Sequence, residues 1–195
     1  MLHDQLFPSI NFLGVPELME QPSIPIQENV PSWDKNRLGT YPCCHFYQHD
    51  SRFSKLMTHP NTLPKSILYP FEINATIYPE YPLALVFYQL YTKRWISRYW
   101  QQQGRKVIVD LSIPIEHLEL AYLGVPRTQN DFCIKLFKDD APFLDNYLFA
   151  LSQYTDRALV NLYIFSGKWI HSHIKTIQQY RNLNPLYFDS NYYIN

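Results

Sequence analysis

The residues best suited to chemistry are carboxylates next to apolar runs, and guanidiniums gathered in one stretch. Asp50, Glu72 and Asp110 each fall at the end of a short apolar segment. In open α/β sheets and β/α barrels, ligands bind beyond the carboxyl ends of the strands. Carboxylates there could hold a divalent cation or act as a general acid/base pair. These three are the catalytic candidates, each with a plain structural alternative: Asp50 as a helix cap, Glu72 on the surface, Asp110 in a turn.

The second group is KRWISRYWQQQGRK, Lys93–Lys106, basic and aromatic with no acid between Glu80 and Asp110. Arg94, Arg98 and Gln101 recur at three- and four-residue spacing, one stripe of a helix, and Arg105 and Lys106 follow. Guanidinium forks recognise phosphate bidentately, and flanking Trp and Tyr can stack on bases. These five residues are the nucleic-acid-binding candidates. The same charges at a helix C-terminus are also favoured by the helix dipole alone, or as structural ion pairs with Glu72 or Asp110.

Other patterns carry less. His171 and His173 have the spacing of a metal pair on a strand. Ile170, Ile174 and Ile177 recur at helical spacing, however, which turns the two imidazoles apart. His45 and His49 beside Cys43 and Cys44 read as structural, so no metal site and no cofactor is expected. Five glycines against fifteen prolines leave no GxGxxG and no phosphate-binding P-loop. GxSxG and HExxH are absent as well. Lys plus Arg and Asp plus Glu each number 17, so no whole-molecule pull toward a polyanion exists.

The elements that must position these residues follow from the punctuation. Residues 1–40 hold Pro8, Pro16, Pro22, Pro25 and Pro31. They read as an extended, proline-rich arm packed on a single α/β domain of residues 41–195 through Phe7, Ile10, Phe12 and Leu13. Strands are predicted at Cys43–Tyr47, Ser66–Glu72, Lys106–Leu111, Leu118–Leu123, Phe132–Phe137 and Ala158–Phe165. Helices are predicted at Ser51–Met57 with Asp50 as cap, at Pro82–Gln103, at Pro142–Asp156 and at Lys168–Leu183. An aromatic, asparagine-rich tail with Tyr187, Tyr192 and Tyr193 ends the chain. Strands alternating with helices predict an α/β fold: a mainly parallel sheet with flanking helices, either open or as an incomplete, barrel-like β/α arrangement. LGVP occurs at Leu13–Pro16 and Leu123–Pro126, an echo that turn chemistry explains. With no basic residue before Lys35 and no apolar run near membrane-spanning length, the expectation is a cytoplasmic protein with no membrane partner.

A family pattern runs through these same residues. His45–Phe53, Pro60, Tyr78 to Pro82, the helix with Arg94, Trp95, Gln101 and Gly104, then Val107–Ile108, Gly124 and Pro126 resemble domain of unknown function 4417. The resemblance covers roughly residues 12–167 and is most specific from Tyr91 to Gly104. Glu72 stands where the resemblance leads one to expect an aspartate after a proline. The family brings no established activity; it implies a phage, plasmid or other mobile-element setting. The leading expectation is therefore a nucleic-acid-associated protein of such an element, with DNA or RNA as partner. The alternatives are a small enzyme with its site at the strand ends, or a non-catalytic module for another protein.

Overall fold

The computed structural model describes residues 7–9, 11, 13–34 and 41–189. Ile10, Phe12, Tyr192 and Tyr193, named above, lie outside the described residues. Strand β1 (Cys43–Cys44) is followed by a 3-10 turn at Asp50–Arg52 and by α1 (Ser54–Thr58). Strand β2 (Tyr69–Pro70) leads to the long helix α2 (Leu83–Gln102). Next come β3 (Val109–Asp110), a 3-10 helix at Ile115–Tyr122, and β4 (Asp131–Lys135). A 3-10 turn at Lys138–Phe143 opens α3 (Leu144–Tyr154), and β5 (Val160–Ser166) comes after it. The chain continues through a 3-10 helix at Lys168–His173, α4 (Ile174–Ile177) and β6 (Leu183–Asp189).

The α/β expectation holds. Every strand pairing is parallel, but the strands form two sheets rather than one: β1-β2 and β3-β4-β5-β6. A single parallel bridge, Phe71 to Ile108, links them. Side chains alternate between two environments, as the strand period requires. Phe132, Ile134, Leu162 and Ile164 pack outward with residues of α2 and α3 such as Leu90 and Leu148. Cys43, Tyr47, Phe71, Ile108, Cys133, Tyr163 and Phe165 point the other way into a shared core. Phe165 of β5 lies 4.8 Å from His45 and 4.7 Å from Tyr47, ring centre to ring centre. Those residues belong to the β1 end of the strand order, so the parallel ribbon curls on itself without closing into a barrel.

The arm seals the end where the strands begin. The Gln21 side chain exchanges hydrogen bonds with Val107, donating at 2.6 Å and accepting at 3.0 Å. Ile24 N donates to Asp131 Oδ2 at 2.9 Å, and Gln27 N donates to Tyr163 Oη at 3.3 Å. Ser32 then bridges to His45 in parallel register.

Several sequence expectations are corrected. The stretch expected as a strand at 118–123 is 3-10 helix as far as Tyr122. The expected last helix breaks after Ile177, and the stretch that reads as an aromatic tail contains β6. Asp50 does not cap a helix: His49 precedes the 3-10 turn, its Nδ1 accepting from Ser51 N.

Candidate functional site

Helix α2 runs without Pro or Gly and places its polar stripe inward. Arg94 is fully buried. Its Nη1 donates to Glu72 Oε2, its Nε to Leu123 O at 2.9 Å and its Nη2 to Ala121 O at 2.6 Å. Ser97 Oγ donates to Glu72 Oε1 at 3.1 Å, and Asp110 N donates to Glu72 Oε2 at 3.1 Å. Beside Arg94, Lys93 Nζ reaches Asp110 Oδ2 at 2.8 Å and Glu72 Oε2 at 3.8 Å. Two carboxylates and two cations therefore neutralise one another out of water, with each charge hydrogen-bonded, as burial of charge demands.

This geometry corrects the picture of a phosphate-binding rim. Gln101 is buried, its side chain pairing with both N–H and C=O of Met19. Arg105 is buried and donates to the carbonyls of Ile67 and Leu63. With Arg94 they staple the arm and loops to α2, which removes three of the five candidates from the surface. Arg98 and Lys106 remain half-exposed. Arg98 packs its guanidinium over Phe7, and its buried Nε and Nη1 have no hydrogen-bond partner among the described residues.

The carboxylate candidates separate into two roles. Glu72 and Asp110 meet through Lys93. Asp50 instead accepts from Thr76 Oγ1 at 2.9 Å and Thr76 N at 3.3 Å. No group of His, Cys, Asp and Glu among the described residues is arranged to hold a metal ion.

Beyond this buried network lies a cavity of about 390 Å³, within the size range of small-molecule sites. Its wall is drawn from the segments after each of the first four strands. Gln48 comes after β1, and Asn74, Thr76, Ile77 and Pro79 after β2. Ser112 to Glu116 lie after β3; Ile134 and Lys135 end β4; Phe137, Asp140 and Phe143 lie beyond it. Asp110 reaches the wall through Ser112, whose Oγ donates to Asp110 Oδ1 at 2.6 Å and accepts from Lys135 N at 2.8 Å. Tyr47 Oη also donates to Asp110 Oδ1, at 2.8 Å, and burial pushes its phenol well above the usual range. Thr76, fixed by Asp50, is part of the same wall.

Lys135 is the cavity-lining cation that sequence reasoning passed over. It lies half-buried at the end of β4, its Nζ 5.0 Å from the Phe137 ring centre and 6.0 Å from that of Tyr47. Burial lowers its pKa, and the Asp110 charge opposes that shift. A lysine inside the apolar run FCIKLF was the available signal, since a charge at the end of a buried strand is placed where strand and loop meet.

Comparison with known proteins gives a family and a phage relative. The model of a domain of unknown function, DUF4417, matches residues 7–130. That stretch includes Glu72, Lys93, Arg94, Asp110 and Ser112; Lys135 lies beyond it. The Gene 1 protein of Mycobacterium phage D29 is 26% identical over 164 residues. The match covers 78% of this chain and 55% of the phage protein, so the chain spans little more than half of that relative. No solved structure matches. No helix among the described residues is long and apolar enough to cross a membrane.

Proposed function

This chain belongs to the DUF4417 family, and on that premise we propose that it is a mobile-element protein working as a small enzyme. Its substrate is a small molecule held in the cavity at the carboxyl ends of the parallel strands. The similarity to a mycobacteriophage protein supports the mobile-element setting. The observation that carries the enzymatic reading is the origin of the cavity wall: segments after four successive strands converge on it, as ligand sites in parallel α/β folds do. Ser112 and Lys135 are the groups offered to a substrate. Glu72, Lys93, Arg94 and Asp110 form the rigid frame beneath them, and Asp110 acts as a positioning residue through Ser112.

A thermal-shift screen of small metabolites tests this. A ligand at a hundred times its dissociation constant stabilises the folded state by about 2.7 kcal/mol. Such a ligand is expected for the parent and not for Thr76→Trp, which fills the cavity. A screen without any stabilising ligand, or one whose hits survive that substitution, overturns the reading.

A second reading keeps nucleic acid as partner, through the half-exposed cations Arg98 and Lys106. Filter binding across a salt series is expected to show affinity falling with salt, and Arg98→Ala is expected to lower the slope by about one unit. No binding at low salt retires this reading.

A further inference from the structure

The two lysines that approach Asp110 have different fates. Lys93 gives its ammonium to Asp110 Oδ2 at 2.8 Å and to Asp110 O at 3.0 Å. Lys135 makes no hydrogen bond or ion pair among the described residues; the rings of Phe137 and Tyr47 flank its Nζ, and the Asp110 charge acts on it without contact. The nearby carboxylate is already occupied. Asp110 Oδ1 accepts from Tyr47 Oη, Ser112 Oγ and Ser112 N, at 2.8, 2.6 and 3.1 Å, and Oδ2 is taken by Lys93.

A cation taken halfway out of water without an anion is a cost the fold normally offsets by pairing. Here no ion pair forms among the described residues, and Lys135 lines a cavity. Asn74, on the same wall, has a side-chain amide with no hydrogen bond among the described residues. Ile77, Ile113 and Ile115 supply an apolar floor, while Glu116 and Asp140 add negative charge to the wall. That last feature disfavours a second anionic group on the ligand.

Resting on the reading of this cavity as a substrate site, we propose that its ligand is an organic monoanion. Its anionic oxygens accept from Lys135 Nζ, and its apolar body lies on the isoleucine wall. A carboxylate and a phosphate diester share this chemistry, each with a single charge.

Two fluorescent probes of similar shape separate the possibilities in the full chain: 8-anilinonaphthalene-1-sulfonate, an anion, and N-phenyl-1-naphthylamine, which is neutral. The parent is expected to bind the anion about tenfold more tightly, the worth of one charge-assisted hydrogen bond. Lys135→Met is expected to level the two, and Lys135→Arg, which keeps the charge, to retain the preference. Thr76→Trp is expected to abolish binding of both. If parent and Lys135→Met show the same preference, or if the parent shows none, the anion assignment is overturned while the cavity reading stands. If neither probe binds, or if both bind Thr76→Trp as they bind the parent, the cavity reading falls and the assignment with it. Competition by benzoate and by methyl phenyl phosphate, each a monoanion, then tells which anionic group the site prefers.

Discussion

At the scale of single residues, His45 shows how far burial governs the chemistry here. It is fully buried, its Nδ1 accepts from Tyr47 N at 3.1 Å, and burial, aided by Lys135, lowers its pKa to about 3. In the unfolded chain the imidazole titrates near 6.5. Below that pH the unfolded state binds a proton that the folded state refuses, so stability is full above pH ~6.5 and declines as pH falls toward 3. Between pH 7 and pH 5 this one group is expected to cost the parent about 2 kcal/mol more than His45→Asn, read from urea unfolding. Equal losses in parent and variant would show that His45 does not control the decline. The same logic explains what could be read in advance. Glu72 and Asp110 were legible because a carboxylate bordering an apolar run needs a partner. Lys93 and Arg94 were legible as a pair of charges, but their direction was not. Only the fold reveals that the polar stripe of α2 faces inward, toward carboxylates 17 and 22 residues away in sequence.

At the scale of elements, the repeated LGVP is turn chemistry with a structural use. Gly14 and Gly124 both have positive φ, 69° and 71°. The two turns also touch: Leu18 N donates to Gly124 O at 2.8 Å, and a Cβ on Gly124 would run into the Pro16 carbonyl oxygen. Gly104, with φ of 80°, has nothing within 4 Å of that position. Gly104→Ala is therefore expected to cost only the left-handed strain, about 1–2 kcal/mol. Gly124→Ala is expected to cost more, roughly 3 kcal/mol, because steric overlap adds to the strain. Calorimetric melting of both variants gives the comparison; equal losses would show that the arm yields freely. The misread elements have equally local causes. Ile115, Leu118 and Ala121 recur every third residue, the repeat of a 3-10 helix, although LELAYL reads as a strand. Pro185 disguises β6, yet as the end strand of its sheet β6 tolerates a residue without an N–H.

At the scale of the whole molecule, alternation of apolar strands and helices was enough to reveal the parallel α/β class, because parallel strands need crossovers. It was not enough to reveal the division into two sheets or the curl that brings Phe165 to His45. Those depend on ring packing between strands far apart in sequence. The strands pair in sequence order within each sheet, which carries the segments after them to one end and leaves the other end to the arm.

That closure fixes an order of events. The arm's side-chain hydrogen bonds join residues 86, 107 and 136 positions apart. On the ribosome the arm is made before these partners, and its bonds to Val107, Asp131 and Tyr163 wait until β3, β4 and β5 have emerged. Non-local contacts of this kind come late, once chain closure has been paid for elsewhere. The arm therefore acts as a latch set last, and weakening it speeds unfolding more than it slows folding.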